Sequence, residues 1–244
     1  MNRYYYDLHL HSSLSPCGDN DNTPNNIAGM ATLCGLNIIA LTDHNTTKNC
    51  PAFFEAANRY GLIPIAGMEL TSSEDIHVVC LFEELDDAMR FNDYVDSHRV
   101  KIKNKPEIFG DQFILDGEDN CVGIEEYLLS NATKISITEV TSIVTEYGGV
   151  AYPAHIDRMS NGIIATLGTL PEDIHFTAVE FHNKDCIEEY KAKYPICNKT
   201  VVISSDAHYL TDIREGENYF ELADEPYSRS KVRKELFRIL RGEL

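Results

Sequence analysis

The sequence predicts a parallel α/β fold built as a single domain. Seven short runs rich in β-branched and aromatic residues alternate with amphipathic, helix-like stretches, which is the pattern of repeated βαβ units. Several of these stretches return to the next strand through a glycine, a common end for a helix. The chain has 244 residues, a length at which one domain can enclose a large core. The expected strands are residues 4–9, 38–42, 62–69, 77–82, 149–153, 178–181 and 201–204.

The clearest predicted helix lies between the first two strands. Thr23 is a suitable N-cap, Pro24 fits the first helical position, and Gly35 supplies an ending. This segment is therefore the helix of the first βαβ unit. Further helices are expected at residues 51–60, 86–98 and 138–147, and a basic amphipathic helix is expected to pack on the domain at residues 228–241.

Residues 99–137 interrupt the alternation of strands and helices. The stretch contains closely spaced lysines and the acidic turn at 116–120, neither of which fits a βα unit. It also carries apolar residues, such as Phe113 and Leu128, that can pack against the rest of the domain. We therefore expect one domain spanning residues 1–244, with residues 99–137 as an insertion that forms a lid or cap.

Charge and composition limit the classes of partner. Thirty-nine acidic and 21 basic residues give a formal net charge of -18, which disfavours binding to the nucleic-acid backbone. Divalent cations bound in one cleft would reverse the sign of the charge there. The negative net charge therefore disfavours small phosphorylated substrates less than long polyanions. No membrane span or signal segment is evident, and we expect a cytoplasmic protein. The seven cysteines include no Cys-x-x-Cys pair and are expected to be reduced thiols.

The first strand ends in a pair of histidines, His9 and His11. Residues two apart in a strand share a face, so the two imidazoles should converge. Imidazole is the commonest metal ligand in proteins, but a solvated or core pair explains a lone His-x-His equally well. The pair alone does not decide between the two interpretations.

Other acids and imidazoles are found at strand boundaries further along the chain. Each has an ordinary structural explanation, such as a helix cap or an ion pair, but burying them together requires partners, and metal ions are the simplest ones. Histidine and carboxylate ligands fit zinc, manganese or iron better than magnesium. Most of these residues follow a strand, where α/β folds place active sites, and only His77 lies at a strand start. The set comprises Asp43, His44, Glu69, His77, His155, Asp206 and His208.

This ordered set resembles the PHP (polymerase and histidinol phosphatase) phosphoesterases, and specifically their small, nucleotide-phosphatase-like bacterial members. The resemblance implies a distorted (β/α)7 TIM-like barrel with two or three divalent metal ions at the carboxyl ends of its strands. The matching motifs span nearly the whole chain. They are His9-x-His11, Thr42-Asp43-His44, Gly67-Met68-Glu69, His77, Pro153-Ala-His155 and Asp206-Ala-His208.

The resemblance also implies roles for individual residues. Asp43 is expected to orient a histidine or the attacking water rather than to bind a metal directly. The implied ligands are His9, His11, Glu69 and Asp206 for one metal, Glu69, His77 and His155 for a second, and His44 and His208 for a third.

The segment after the histidine pair departs from the family pattern. Many relatives have Ser-Asp-Gly there, with an aspartate that helps to bind the third metal, whereas this chain reads Ser15-Pro16-Cys17-Gly18-Asp19. Cys17 could bind as a thiolate, and Asp19 could reach the metal from the loop. An inert cysteine beside a structural proline is the alternative.

These residues lead to the hypothesis of a metal-dependent phosphoesterase that acts through a metal-activated hydroxide. His208 or His44 would protonate the leaving group, and Arg158 would clamp phosphate oxygens, unless it forms a surface ion pair instead. Expected substrates are small: a nucleotide, histidinol phosphate or a sugar phosphate, with a short nucleic-acid end also possible. No membrane or obligate protein partner is expected.

Two other functions fit the same residues. An amidohydrolase-like amide or lactone hydrolase also begins its site with His-x-His on the first strand, although such enzymes usually bridge their metals with a carboxylated lysine, where this chain has Glu69. A non-catalytic, metal-binding regulatory PHP module is the second alternative. Such modules tend to lose ligands, whereas this chain keeps nearly all of them.

Overall fold

The computed structural model describes residues 1–243 and shows a mixed sheet of six strands. The first three strands along the chain are parallel, and the fourth runs antiparallel to both of its neighbours. The sequence had predicted parallel strands throughout, so the direction of the fourth strand is a correction. In spatial order the strands are β10 (Tyr219–Leu222), β1 (Asn2–Leu10), β2 (Ile38–Leu41), β3 (Ile63–Thr71), β4 (His77–Phe82) and β7 (Gly149–Pro153).

Two further strands, β8 (Ala178–Phe181) and β9 (Thr200–Ile203), pair in parallel as a separate small sheet. A backbone hydrogen bond of 3.0 Å from His11 N to Ala207 O links the end of β1 to the segment after β9. The sheets therefore curl toward each other as a half-barrel. The α/β class is confirmed, but a full (β/α)7 barrel is not, since β10 instead of β9 pairs with the first half of β1.

The five predicted helices form close to their expected positions. The first helix begins at its predicted cap, because Thr23 Oγ1 accepts a hydrogen bond from Asn26 N. The helix predicted at residues 138–147 begins with a capping box between Ser136 and Glu139, which the structure adds. Three short helices were not predicted. The helices are α1 (Pro24–Leu33), α2 (Cys50–Arg59), α3 (Leu85–His98), α4 (Pro106–Phe109), α5 (Ile137–Glu146), α6 (Ile163–Leu167), α7 (Ile187–Lys193) and α8 (Arg229–Leu240). No helix of residues 1–243 is long and apolar enough to span a membrane.

The segment between α3 and α5 contains α4 and a hairpin of β5 (Phe113–Leu115) with β6 (Cys121–Ile124). The hairpin is held against the loop that follows β1, because Phe113 N donates to Ser13 O at 3.1 Å. Asn49 of the segment after β2 adds a second contact, its Oδ1 accepting from Leu115 N at 2.9 Å. The predicted insertion is thus ordered against the main domain, and its action as a lid stays a prediction.

The apolar core forms two layers, one on each face of the curled sheet. The outer layer lies between the strands and helices α1, α2, α3 and α5. The inner layer fills one end of the curl, where α8 inserts Leu236 and Phe237 against strand residues such as Leu8 and Tyr152. Burial of this apolar surface is the main stabilising contribution to the fold. The other end of the curl, at the carboxyl ends of β1, β2 and β3, is polar.

A shift in β1 directs the histidine pair into the curl. Leu8 belongs to the inner layer and Leu10 to the outer one, although residues two apart normally share a face. The register of β1 against β2 changes between Asp7 and Leu10, as it does at a β-bulge. Even-numbered residues therefore point inward before the shift and odd-numbered ones after it. His9 and His11 consequently enter the interior of the curl.

Candidate metal centre

Glu69 is the central residue of the buried polar end of the curl. It lies on the inner face of β3 and is only 1% exposed. Its Oε1 lies 2.7 Å from His77 Nδ1 and 3.1 Å from His155 Nε2, and its Oε2 lies 2.9 Å from His44 Nδ1. Burial opposes ionisation of the carboxyl, but the surrounding imidazoles, His77 first, hold the pKa of Glu69 well below its ordinary value.

The first group of possible ligands joins both ends of the chain. His9 Nε2 and His11 Nε2 lie 3.1 Å apart, and Asp206 Oδ1 lies 3.3 Å and 3.2 Å from them, respectively. Glu69 completes the group at 3.4 Å from each histidine. The four ligand atoms all lie within 4.8 Å of one another. The structure thus brings together the four residues that the resemblance implied for one metal.

His44 belongs to two neighbouring groups. Its Nδ1 faces Glu69 in a group with His77, and its ring also belongs to a group with His11 and His208. The second implied site contained His155 in place of His44, and His155 does contact Glu69 but lies outside the group that contains His77. The imidazole of His44 therefore lies between the second and the third implied metal sites.

The direction of β4 explains the position of His77. This residue begins β4 and pairs with Thr71 at the end of β3. In an antiparallel pair the start of one strand lies beside the end of the other. A histidine at a strand start thus reaches the same edge as the acids and imidazoles at the ends of the parallel strands. The exception in the sequence pattern is a consequence of strand direction.

Several buried polar atoms of the cluster have no hydrogen-bond partner among the described residues. Nitrogen and carboxylate atoms that face one another at 2.7–3.4 Å without hydrogen bonds are costly in a dry interior. Divalent cations would satisfy those atoms that face the cluster, and this donor set suits zinc, manganese or iron. The residues present therefore fit metal ions. The orphaned atoms are His44 Nδ1, Glu69 Oε2, His77 Nδ1, His155 Nδ1 and Asp206 Oδ1.

Two of the cluster residues adopt a backbone conformation that is unusual for side-chain-bearing residues. His155 has φ of 27° and Asp206 has φ of 54°. Positive φ in a residue other than glycine costs of order 1–3 kcal/mol and is found most often at functional sites. Both residues directly follow or lie close to the ends of strands, where the strained backbone turns their side chains inward.

Asp43 lies beneath the cluster and holds the loop after β1. Its carboxylate accepts hydrogen bonds of 2.7 Å from Ser12 N, Ser12 Oγ and Ser15 Oγ. Ser15 Oγ in turn lies 2.9 Å from His11 Nδ1. Asp43 does not belong to any of the possible ligand groups, and it fixes the orientation of the His11 ring through Ser15.

Glu180 was missed by the sequence analysis. It is 1% exposed on the inner face of β8, and its Oε1 lies 2.9 Å from His9 Nδ1 and accepts from His155 N at 3.1 Å. A carboxylate on the far nitrogen of a ligating histidine fixes its tautomer and raises its basicity. The available signal was a lone acid in the apolar run Ala178-Val-Glu-Phe181, on the same face as Ala178.

The loop after β1 places Cys17 and Asp19 differently. Cys17 Sγ lies 3.1 Å from His44 Nε2 at the rim of the cluster. Burial opposes the thiolate, but His44 and His208 outweigh it and lower the pKa of Cys17 to about 6. Asp19 turns away: its Oδ1 accepts from Asp21 N at 2.9 Å, and it lines a surface pocket with Tyr209. The structure thus brings only the cysteine to the cluster.

Arg158 lies in the wall of the pocket above the cluster, with its side chain 37% exposed. Its Nη1 is paired with Asp206 Oδ2, so the acid that faces His9 and His11 through one oxygen is held by the arginine through the other. The pocket is small, about 140 Å³. It is lined by His44, Glu69, His77, His155, Arg158, Ser160, Asn161, Asp206 and His208.

Comparison with known proteins agrees with this site. The family model of the PHP domain matches residues 7–91, which include the histidine pair, Asp43, Glu69 and His77. No curated protein gives a significant match.

Solved structures show the same fold at low sequence identity. A lesion-specific endonuclease, endonuclease Q from Pyrococcus furiosus, is 18% identical with a TM-score of 0.66, over 99% of this chain and 56% of its own. This chain thus spans little more than half of that protein. A protein from Bifidobacterium adolescentis, provisionally assigned as a metal-dependent phosphoesterase, is 19% identical with a TM-score of 0.59, over 96% of both chains. An amidohydrolase from Chromobacterium violaceum is 19% identical with a TM-score of 0.60, over 90% of this chain and 92% of its own.

Residues 7–91, which help to build the polar cluster, thus carry the match to the PHP domain family.

Proposed function

We propose that the chain is a metal-dependent hydrolase that cleaves a small phosphomonoester. The observation that supports this most is the buried cluster of imidazoles and carboxylates around Glu69, open to a pocket that has an arginine in its wall. Imidazole and carboxylate ligands suit divalent cations, and a guanidinium group suits phosphate oxygens. The two features together favour phosphoester chemistry over simple metal storage.

The metal ions would be held by residues of all parts of the chain. When bound, they supply a water-derived nucleophile at neutral pH and neutralise charge on the phosphoryl oxygens. Zinc, manganese and iron are the candidates. The ligands would be His9, His11, Glu69 and Asp206 for the first ion, Glu69, His77 and His155 for the second, and His44, His208 and Cys17 for the third.

Other residues would position the ligands and the substrate. Glu180 holds His9, and Asp43 holds His11 through Ser15, so neither imidazole can rotate freely. Arg158 would bind a phosphoryl oxygen from the pocket wall while it keeps Asp206 in place. His208 and His44 line the pocket, and in the protein without a third ion one of them would protonate the leaving oxygen.

The substrate is expected to be small. The pocket encloses about 140 Å³, and the net charge of -18 repels long polyanions. A nucleotide, histidinol phosphate or a sugar phosphate would place its phosphoryl group in this pocket. A nucleic-acid end is the second candidate, because one structural neighbour is an endonuclease Q complex with duplex DNA that carries an abasic lesion at the active site.

A substrate panel tests the proposal. The protein would be stripped of metal, reloaded with manganese, zinc or iron, and assayed on p-nitrophenyl phosphate, nucleotides, sugar phosphates, abasic duplex DNA and simple lactones. We expect metal-dependent release of phosphate from small esters, and its loss in His9→Ala. His175→Ala is the matched control, because His175 is exposed and lies outside the cluster. Lactone hydrolysis without phosphate release would refute the proposal, as would stoichiometric metal binding without any hydrolysis.

A further inference from the structure

Two arginines converge on one imidazole beside the metal centre. Arg158 Nη2 lies 3.0 Å from Nδ1 of His182 and 3.3 Å from its Nε2. Arg214 Nη2 lies 3.1 Å from each of the same nitrogens, and Arg214 Nη1 donates to the His182 carbonyl oxygen at 2.7 Å. His182 itself is anchored, because its backbone N donates to Asp157 Oδ1 at 2.9 Å. The two guanidinium groups are thus held close together.

The charges of this cluster are unequally compensated. Arg158 is paired with Asp206, which is also one of the proposed metal ligands. Arg214 forms no ion pair within 4.0 Å with a carboxylate of residues 1–243, and its contacts are to His182. Like charges that are brought together repel unless an anion joins them. A partly buried arginine without a carboxylate partner is therefore suited to bind an anion.

A cavity connects this cluster to the metal centre. It measures about 380 Å³ and shares Arg158 and Asp206 with the pocket above Glu69. A substrate whose phosphoryl group lies at the metal centre would therefore extend past Arg158 toward Arg214. The cavity is lined by Arg158, His182, Ser205, Asp206, Asp212 and Arg214.

We propose that Arg214, together with Arg158, binds a second anionic group of the substrate, a phosphate or a carboxylate. The substrate is then a small molecule with two anionic groups, one cleaved at the metal centre and one held at Arg214. This inference deepens the proposed function and rests on it for the position of the first group. Arg214 is a specificity residue in this scheme, because it does not touch the reacting phosphoryl group.

The region beyond Arg214 argues against a longer polyanion. A cavity of about 580 Å³ continues there, and it shares His182 and Arg214 with the smaller one. Its wall carries Asp185, Glu215 and Glu217, while its one lysine, Lys184, is already paired with Glu217 at 2.8 Å. A third phosphate would meet this acidic wall. A nucleic-acid strand is thus disfavoured relative to a small molecule with two anionic groups.

Matched substrates and an arginine substitution test the subsite in the metal-loaded enzyme. The pairs are a nucleoside 3′,5′-bisphosphate with its 5′-monophosphate, and phosphoglycerate with glycerol phosphate. Arg214→Gln should raise KM for the doubly anionic member of a pair roughly 10- to 100-fold, the usual effect of losing a charge-assisted hydrogen bond. KM for the singly anionic member and kcat for both should stay near wild type. A response in the nucleoside pair alone would identify the second group as a phosphate, and a response in the phosphoglycerate pair alone would identify it as a carboxylate.

Two further variants serve as controls. Arg214→Lys should recover part of the affinity by keeping the charge, and Arg90→Gln, at an exposed ion pair with Asp87, should change nothing. Equal effects of Arg214→Gln on singly and doubly anionic substrates would overturn the subsite, even if phosphoesterase activity is confirmed. Tighter Arg214-dependent binding of abasic duplex DNA than of any small substrate would also overturn it.

A binding measurement separates this inference from the proposed function. Calorimetric titration of the metal-free protein with inorganic phosphate should show one site that Arg214→Gln removes and Arg90→Gln keeps. That result would support the subsite even if no phosphoester is hydrolysed. Phosphate binding that is unchanged in Arg214→Gln would count against it.

Discussion

Replacing Glu180 by glutamine should weaken metal binding without removing a ligand. Glu180 Oε1 lies 2.9 Å from His9 Nδ1, and both side chains are at most 1% exposed, so solvent cannot replace the carboxylate. Burial opposes protonation of His9, but Glu180, Asp206 and Glu69 outweigh it and hold the pKa of His9 well above the ordinary value. Glu180 is the first of these carboxylates, so its charge contributes most to the basicity of the imidazole.

The size of the effect follows from this geometry. Removing the partner of a ligating histidine typically lowers metal affinity 10- to 100-fold, or about 1.4–2.7 kcal/mol. Glu180 Oε2 has no partner among the described residues. The glutamine NH₂ would therefore enter a site without an acceptor, which costs about 1–3 kcal/mol of stability in the metal-free protein.

Metal affinity would be measured by competition with a chromophoric chelator, and stability by thermal unfolding with and without metal. The matched control is Glu221→Gln, at an exposed ion pair with Arg3, where an effect of at most about 1 kcal/mol is expected. Wild-type metal affinity in a folded Glu180→Gln protein would refute the positioning role. A loss of stability alone, with unchanged affinity, would show that Glu180 serves only the fold.

Three further predictions concern the loop after β1 and the start of α5. The cobalt-loaded wild-type protein should show a near-ultraviolet absorption band from thiolate-to-metal charge transfer, and Cys17→Ala should abolish this band and release the third ion. Absence of the band in the wild-type protein would exclude Cys17 as a ligand. Gly18→Ala should displace the same loop, because an added Cβ would lie 2.3 Å from Ser12 O. We expect thermal unfolding to show a loss of stability of about 1–3 kcal/mol, together with a weaker cobalt band. Glu74 accepts from Ser136 Oγ at 2.7 Å and from the backbone at the start of α5; burial opposes its ionisation, but these bonds outweigh burial and lower the pKa of Glu74. The ionised Glu74 therefore stabilises the fold fully above its ordinary pKa of 4.5, and this stabilisation is lost as the pH falls through the lowered pKa. Glu74→Gln should lower the free energy of unfolding by about 0.5–1 kcal/mol at pH 7 and by less at acidic pH. An equal loss at both pH values would contradict this reasoning.

Much of the fold could be predicted from sequence because its signals are local. A cap such as Thr23 marks a helix start through contacts within three residues, and apolar runs mark strands through their own burial. The weak elements escaped prediction. The edge strand β10 reads Tyr-Phe-Glu-Leu with three of its four residues only partly buried or exposed, so its pattern is no clearer than that of a loop.

The residues that lie together in the candidate site could be named from the sequence for a related reason. Histidines and acids are uncommon at the ends of buried strands, and their number in this chain called for a shared partner. Glu180 and Arg214 carried only a weak signal, because a single acid in a strand or a single arginine in a loop is ordinary. Their proposed roles depend on the groups opposite them, His9 and His182, which lie far away in the sequence.

The sequence by itself determined which chemical groups the site contains, in which order they occur, and where most helices and strands begin. Only the tertiary structure decided how those groups meet. The antiparallel direction of β4 brings His77 to Glu69, and the register shift in β1 turns His9 and His11 inward. Helix caps and strand propensity depend on neighbours within a few residues. Strand direction and the bulge-like shift in β1 depend also on hydrogen bonds and packing between segments that are far apart in the sequence.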